Sequence, residues 1–271
     1  MSPQDIDYFC ALIQARSGLV LTGERNFFIE TRLAPLARRE RMGSVSEVVD
    51  QVMEQPTGAL ARAVVEAMSI QDTAFFRDRA AFGALGALVL PALATAKTDR
   101  LRIWSAGCGQ GQEPYSLAML LAEADYALPT VELLATDLST AALEKGRAGI
   151  YTHFEVQRGL PIRRLLRHFE EQDDVWRASP ELRQRVRWIR LNLIDPFTVP
   201  EGYDLILCRN VVNAFAPAPR AQVLNRLTQA LAPGGRLMLG ADEAPPEGFV
   251  PLPGAPCIYV RHAETAVEIA A

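Results

Sequence analysis

Three glycines spaced two residues apart, Gly107, Gly109 and Gly111, stand between an apolar run and a helical pattern. Glycine adopts backbone conformations that other residues avoid, so such a turn can bend tightly and lie close to a ligand. In open α/β sheets, a strand that runs through glycines into a helix forms a nucleotide pocket. The spacing is not G-x-G-x-x-G and no Lys-Ser/Thr pair follows. The turn therefore favours a nucleoside without phosphates, with a purely structural turn as the alternative.

Polar residues follow the other apolar runs that we expect to be strands. Asp137 ends one run, and its carboxylate can accept hydrogen bonds from both hydroxyls of a ribose. The alternative is that Asp137 caps the next helix. Asn192 follows another run, where it can contact a base edge or make a turn. Arg209 and Asn210 follow a fourth run, at the edge where ligands collect in this class of sheet.

Two charged residues complete the set of candidates. Glu113 lies in the first turn of the helix after the glycines, where it suits both the helix dipole and a ligand amine. Arg77 lies in the segment Thr73–Asp78, and its planar fork can bind a substrate carboxylate with two hydrogen bonds. A surface arginine paired with Asp78 explains the same residue equally well.

The elements that must position these residues form an α/β pattern from residue 101 onward. Near-continuous apolar strands that alternate with helices predict a mostly parallel sheet covered on both faces. We expect strands at 101–106, 131–136, 186–191, 203–208 and 235–240, with helices at 113–125, 139–147 and 217–231.

Three further regions frame the sheet. Residues 1–75 have the apolar spacing of four helices and predict a helical N-terminal domain, followed by a second domain over 76–271. Residues 151–185 interrupt the alternation and predict a small inserted subdomain, with a helix at 162–170 and a polar stretch after it. Residues 249–261 predict an antiparallel hairpin.

Composition narrows the class of protein. The 271 residues carry a net charge of −4, which argues against nucleic acid as the main partner. No apolar run reaches ~18 residues, so we expect no membrane insertion. The N-terminus has neither the basic nor the apolar region of a signal peptide. These features predict a cytoplasmic location.

Cysteines and histidines do not suggest a metal centre. Cys10, Cys108, Cys208 and Cys257 are scattered without a C-x-x-C pair, which favours reduced thiols over a zinc site. The three histidines lack ligand spacing.

Seven segments, taken together and in order, resemble one known family. They are TAFFRD (73–78), IWSAGCGQGQEPYSLAM (103–119), ATDLSTAALEKGRAGIY (135–151), RGLP (158–161), LNLID (191–195), YDLILCRNV (203–211) and LAPGGRLMLGADE (231–243). Their order and spacing match the chemotaxis receptor methyltransferases, the CheR family. The segment 27–43 is similar to the helical N-terminal domain of that family, so the resemblance covers nearly the whole chain.

The resemblance implies a Rossmann-like methyltransferase sheet that binds S-adenosylmethionine (SAM) and releases S-adenosylhomocysteine (SAH). It implies methyl transfer to glutamate side chains on the cytoplasmic helices of methyl-accepting chemoreceptors, by a monomer. Arg77 would orient the substrate carboxylate, and Arg38, Arg39 and Arg41 would meet the acidic receptor. The residues that would line the cofactor pocket are Gln71, Thr73, Arg77, Gly107, Glu113, Asp137, Asn192, Leu193, Arg209 and Asn210.

This chain departs from the family pattern at three places. The family's usual CSTGEEPYS is CGQGQEPYS in this chain. Of the two glutamates in that motif, only the second, Glu113, is present. Ala214 replaces the tyrosine thought to lie beside the transferred methyl group. The inserted subdomain is short and lacks the glycine-rich loop of relatives that bind a receptor's C-terminal pentapeptide, so we expect no such tether.

Two other functions remain to be weighed. A module that binds SAM or SAH for regulation, without methyl transfer, is favoured by Ala214, whereas the presence of Arg77, Glu113 and Asp137 favours an enzyme. A nicotinamide-dependent oxidoreductase is disfavoured by the glycine spacing.

Overall fold

A computed structural model describes residues 1–69, 72–97, 99–198 and 202–262 of the chain. Its N-terminal part consists of helices α1 (Pro3–Ser17), α2 (Arg25–Arg39), α3 (Val45–Glu54) and α4 (Ala59–Met68). These helices bury their apolar faces against one another and form a core of their own. Ser2 and Ser44 cap α1 and α3 by accepting backbone N–H groups, as their position before an apolar periodicity favours. A domain boundary at residue 75 stays a prediction.

The second part of the chain is built on a sheet of seven strands. The strands and helices that form it are β1 (Arg100–Ala106), α7 (Gln112–Ala122), β2 (Thr130–Asp137), α8 (Thr140–Ala148), β6 (Val186–Arg190), β7 (Tyr203–Cys208), α12 (Pro217–Ala230), β8 (Leu231–Leu239), β9 (Phe249–Pro251) and β10 (Ile258–Arg261).

The strand order across this sheet is β6-β2-β1-β7-β8-β10-β9. The first five strands run parallel, whereas β10 is antiparallel to both β8 and β9. Since β1 lies between β2 and β7, the chain reverses its direction of winding at β1. Ligands bind at such a reversal, outside the carboxyl ends of the strands. The predicted α/β class, the parallel sheet and the C-terminal hairpin are all present.

One helical stretch, Arg79–Ala96, is long and apolar enough to cross a membrane by length and composition, with a mean hydropathy of 1.5. It joins α5 (Arg79–Ala84), a π-helical turn (Leu85–Val89) and α6 (Leu90–Ala96). Phe82, Leu85 and Leu90 are buried in the core on one face of the sheet. A core helix of a globular domain has the same length and composition, so this feature is weak evidence for a membrane span.

The inserted region is a three-stranded antiparallel sheet in the order β3-β5-β4. It contains β3 (Ile150–Thr152), α9 (His153–Gln157), α10 (Ile162–His168), β4 (Phe169–Gln172), β5 (Val175–Ala178) and α11 (Pro180–Gln184). The predicted helix therefore ends two residues early, and the polar stretch contains a tight hairpin that the sequence did not indicate. Its strands are short and expose polar side chains such as Glu170 and Glu171, so they lack a clear apolar alternation.

Candidate active site

A cleft opens at the carboxyl ends of β1, β2 and β7, beneath the N-terminal helices. Nine of the residues singled out from the sequence line it: Thr73, Arg77, Gly107, Glu113, Asp137, Asn192, Leu193, Arg209 and Asn210. Gln71, the tenth, lies outside the described residues. The topology thus brings together side chains that are far apart in sequence.

The glycine turn is held against the neighbouring strand by its own backbone. Gly107, Gly109 and Gly111 all have positive φ angles, of 77°, 55° and 97°. The N–H groups of Gly107 and Cys108 donate to the carbonyl of Thr136 at 2.8 and 2.9 Å. A Cβ on Gly107 would lie 2.5 Å from a methyl group of Val211, so no larger residue fits there.

Asp137 fixes the turn and faces the cleft. Its Oδ2 accepts the N–H of Gly109 at 2.8 Å and its Oδ1 accepts the N–H of Ser139 at 2.9 Å. Helix α8 is capped by Ser139, whose hydroxyl accepts the N–H of Ala142, so the alternative role of Asp137 as that cap is wrong. A carboxylate oxygen can accept more than one hydrogen bond, so Asp137 can serve both the turn and a ligand's hydroxyl groups.

Glu113 is part of a buried polar group behind the turn. Its carboxylate accepts the Ser105 hydroxyl at 2.8 Å and the Arg209 guanidinium at 3.3 Å. Burial raises the pKa of Glu113, and the positive charge of Arg209 opposes that rise. A cationic ligand in the cleft would favour the ionised carboxylate in the same way as Arg209 does.

The guanidinium of Arg209 is almost completely taken up by protein groups. It donates to the Arg77 carbonyl at 3.0 Å and to the Asp78 carboxylate, besides Glu113, and it lies over the ring of Phe82. Arg209 therefore lines the cleft mainly as the link that ties segment 72–78 to the end of β7.

Arg77 lies at the cleft and pairs with Asp72, not with Asp78. Its Nη1 donates to the Asp72 carbonyl at 2.9 Å and lies 3.6 Å from the carboxylate of the same residue. The pairing with Asp78 that we weighed from the sequence is thus wrong, because Asp78 binds Arg209. Arg158 of the inserted subdomain donates to Asp72 at 2.7 Å and lowers the pKa of that carboxyl group.

The backbone around Arg77 is held in an unusual conformation. Phe76 and Asp78, on either side of it, have φ angles of 47° and 60°, in the left-handed region that residues with a Cβ seldom adopt. The inserted subdomain supports this shape, since the Phe75 N–H donates to the Arg158 carbonyl at 3.1 Å. Next to it, a Cβ on Gly159 would lie 2.0 Å from the Phe75 carbonyl oxygen. The glycine of RGLP is therefore required by close backbone contact.

The N-terminal helices close the cleft from the other side. Ser17, the last residue of α1, and Leu19 line it. The Asn192 amide donates to the Arg16 carbonyl at 2.8 Å, and its oxygen accepts the Ile194 N–H at 3.2 Å. Asn192 thus stabilises a turn and contacts α1. The alternative role in a turn is confirmed, and Asn192 also lines the cleft.

Ala214 lines the same cleft, at the end of a short 3-10 turn, Val212–Ala214. Its carbonyl accepts the Val20 N–H at 2.8 Å, so the backbone of this position joins the segment that follows α1. The side chain that differs from the family pattern therefore lies where it can affect the ligand.

Glu243 is a buried residue whose role the sequence did not reveal. Its carboxylate accepts four backbone N–H groups, those of Asn210, Val211, Asn213 and Gly240, at 2.7–3.2 Å. It thereby shapes the loop after β7 that lines the cleft. The only available signal was an acidic residue soon after a buried strand, which does not indicate the hydrogen bonds it makes.

The polar groups that line the cleft suit a cationic nucleoside better than a phosphate or a metal ion. Three carboxylates line it beside the apolar side chains of Leu138 and Leu193. Asp72 is paired with Arg77 and Arg158, whereas Glu113 and Asp137 lie at the glycine turn. Within the described ranges, no group of three or more His, Cys, Asp or Glu residues is arranged to hold a metal ion. The carboxylates favour a cation and ribose hydroxyls, the apolar walls suit a base, and Arg77 suits an anionic partner.

Comparison with known proteins agrees with this chemistry. A family model described as CheR methyltransferase, SAM binding domain, matches residues 71–248. The chain is 34% identical to chemotaxis protein methyltransferase 1 of Vibrio cholerae over 249 residues, covering 90% of each chain. It is 36% identical to chemotaxis protein methyltransferase 1 of Pseudomonas aeruginosa over 247 residues, covering 89% of this chain and 90% of the relative.

Among solved structures, a TehB-like SAM-dependent methyltransferase from Corynebacterium glutamicum is 19% identical, covers 57% of this chain and 60% of its own, and has a TM-score of 0.35. That value is too low to inform the site. The family model and the relatives match most of the chain. The resemblance seen in the motifs is therefore confirmed. The protein therefore belongs to the CheR methyltransferase family and carries its SAM-binding domain.

Proposed function

We propose that this SAM-dependent methyltransferase transfers methyl groups to glutamate side chains on the cytoplasmic helices of chemoreceptors. The observation that carries the proposal is the position of Arg77 in the cleft that also holds the carboxylates of Glu113 and Asp137. The names of the relatives support a role in chemotaxis. An arginine fork beside a cation-binding pocket suits a reaction between an anionic side chain and a positively charged donor.

The reaction asks little acid–base chemistry of the protein. SAM supplies a methyl group on a positively charged sulfur. A glutamate carboxylate is ionised at neutral pH, so no side chain has to remove a proton. The protein's contribution is to orient the two reactants and exclude water, and orientation alone can be worth ~7–11 kcal/mol.

Each lining residue receives a role on these grounds. Asp137 accepts the ribose hydroxyls, and Glu113 binds the ligand's ammonium group. Gly107 allows the close approach of the backbone, while Asn192 and Leu193 flank the base. Thr73 and Asn210 complete the wall, and Gln71 belongs to the same segment as Thr73.

Arg77 would exchange its contact with Asp72 for the incoming glutamate. Because Asp72 also binds Arg158, it does not lose all its partners when Arg77 turns to the substrate. The arginine then orients the carboxylate without having to leave the cleft.

A second candidate function is a module that binds SAM or SAH for regulation without methyl transfer. The observation that favours it is Ala214, which lines the cleft at the position where the family pattern has a tyrosine. A module that only binds the cofactor needs no group to orient a substrate carboxylate, the role that we assign to Arg77, and for this reason we favour the enzyme.

The inserted subdomain supports a tether-free mode of receptor binding. Its strands β4 and β5 are joined directly at Asp173 and Asp174, without a glycine-rich loop within residues 150–185. We expect a cytoplasmic monomer that gives no binding heat with a receptor's C-terminal pentapeptide. Saturable calorimetric binding of that peptide would contradict this expectation.

Methyl transfer from radiolabelled SAM into receptor-containing membranes of the source organism tests the proposed reaction. The label should enter chemoreceptors and be released by mild base, because the product is an ester. Label that resists base, or none in any receptor while SAH binds tightly, would support the binding module instead.

A further inference from the structure

The outer face of α10 carries two apolar side chains that are largely exposed to solvent. Ile162 is 64% exposed and Leu166 is 67% exposed, and their spacing of four residues places them on one side of the helix. On the preceding helix, Phe154 is 69% exposed. The opposite side of α10, with Leu165 and His168, is buried. The exposed apolar pair is therefore outside the core of the subdomain.

Beside this apolar pair runs a basic one. Arg163 and Arg167 are also four residues apart and exposed. Across the part of the chain that the structure describes, neither has an ion-pair partner, whereas Arg164 between them binds Glu123 at 2.9 Å. In a chain of net charge −4, two neighbouring arginines without carboxylate partners form a local basic stripe.

The other side of α10, through Arg164, and the connection before it contact the segment that carries Arg77. The guanidinium of Arg164 lies 4.4 Å from the ring centroid of Phe76, the residue before Arg77. Arg158, in the connection from α9 to α10, binds Asp72 in the cleft. These contacts tie α10 to the segment that carries Arg77, so a macromolecule bound at the cleft has α10 within the neighbouring subdomain.

We propose that Ile162, Arg163, Leu166 and Arg167 form a docking face for an acidic amphipathic helix of the substrate protein. The proposal rests on the proposed function and adds to it the surface that holds the substrate. An amphipathic helix is recognised through apolar side chains three to four residues apart. Ile162 and Leu166 have the spacing needed to contact such side chains on a partner helix. The arginines pair with carboxylates on the same helix, and a segment that offers glutamates for methylation supplies such carboxylates.

The chemistry of the face favours this occupant over two others. Two copies of this chain that met through the same α10 face would bring two basic stripes together, and like charges repel. An anionic membrane surface attracts basic amphipathic helices, but α10 has only seven residues and buries its other side in the protein. Both are outcomes that the experiment can detect.

The test compares methylation of cytoplasmic fragments of the chemoreceptors encoded in the same genome by parent and variant proteins. In R163E/R167E we expect KM for the fragment to rise about tenfold, because attraction becomes repulsion at two positions. I162S/L166S should raise KM several-fold through lost apolar contact. In both variants kcat and the SAH affinity should stay at the parent values, since no changed residue lines the cleft.

Two matched controls accompany these variants. R185E/R187E makes the same change in net charge at exposed arginines outside α10, and Leu88→Ser removes another exposed apolar side chain. Both should leave KM unchanged. The parent KM should also rise with salt, and that dependence should weaken in R163E/R167E.

The outcomes separate failure of this inference from failure of the proposed function. If the parent methylates no receptor fragment, the proposed function fails. If the parent is active and R163E/R167E has the parent KM, the docking face is wrong. It is also wrong if the α10 variants instead abolish self-association in sedimentation, or abolish binding to phosphatidylserine vesicles, while KM is unchanged.

Discussion

The two walls of the cleft are held in place by different means. The sheet wall, formed by residues 107–113 and Asp137, is fixed by hydrogen bonds between one turn and the adjacent strand β2. The segment wall, residues 72–78, is fixed by side chains from distant parts of the chain, Arg158 and Arg209. The sheet wall is thus a property of the local fold, while the segment wall is assembled by long-range contacts.

This difference assigns the two walls to different steps. The sheet wall contains the groups suited to the cofactor, and the segment wall contains the group suited to the substrate. Changes in the sheet wall should therefore alter cofactor affinity. Changes in the segment wall should alter methyl transfer and leave cofactor affinity largely intact.

Gly159→Ala should have the largest effect. Its φ of +92° is strained for alanine, and the new Cβ would meet the Phe75 carbonyl at 2.0 Å. We expect a loss of about 3 kcal/mol or more in the free energy of unfolding, combining left-handed strain with a steric clash. Denaturant unfolding measures the loss, and methyl transfer should fall further than SAH affinity.

Gly234→Ala is the matched control for this change. Gly234 has a φ of +73°, and an added Cβ meets no atom within 4 Å. It should cost only the conformational part, about 1–2 kcal/mol. Equal destabilisation by the two substitutions would show that the contact between Gly159 and Phe75 does not support the segment wall.

Arg77→Ala should reduce methyl transfer about a hundredfold, the usual cost of misplacing a reacting group. SAH affinity, measured by calorimetry, should change little. Arg77→Lys should recover little activity, because an ammonium group cannot replace the planar fork. Activity at the parent level in both variants would remove Arg77 from the reaction.

Asp137→Ala tests the sheet wall. Loss of a charged acceptor should weaken SAH binding by roughly 1.5–3 kcal/mol. The backbone N–H groups of Gly109 and Ser139 also lose their partner, so the turn itself should loosen. Calorimetry with SAH gives the value directly. An unchanged affinity would refute both the ribose contact and the idea that this wall binds the cofactor.

Ala214→Tyr should have the smallest effect, and in the favourable direction. If the missing hydroxyl only helps to place the carboxylate, restoring it should raise methyl transfer about tenfold, equivalent to ~1.4 kcal/mol of barrier. A pocket reshaped around Ala214 would instead clash with the ring and lose SAH affinity. That second result, with no transfer by the parent, would favour the binding module.

The sheet wall was largely predictable from the sequence and the segment wall was not. The glycine turn, Glu113 and Asp137 lie beside strands with a clear apolar pattern, so their position at the sheet edge follows from the fold class. The motif RGLP was visible, but the contact of Gly159 with Phe75 joins residues too far apart for any local periodicity to indicate. The same holds for the contacts of Arg209 with Arg77, of Asn192 with Arg16 and of Glu243 with Asn210.

One structural feature was missed from the sequence and one alternative was wrong, for related reasons. The hairpin of β4 and β5 was missed because its strands are short and polar on the exposed face. The pairing of Arg77 with its sequence neighbour Asp78 was the simplest local option, yet Arg209 takes that carboxylate. Local proximity in sequence is a poor guide where a buried cation from another strand competes for the same partner.

In the proposed reaction, the cleft brings the methyl group of SAM to a receptor glutamate. Peptide mapping by mass spectrometry tests it most directly, after a receptor cytoplasmic fragment has been incubated with SAM and the parent protein or Arg77→Ala. We expect methyl esters on glutamate side chains with the parent and greatly reduced esters with Arg77→Ala. Methylation of nitrogen or sulfur atoms, or no modification although SAH binds, would contradict it.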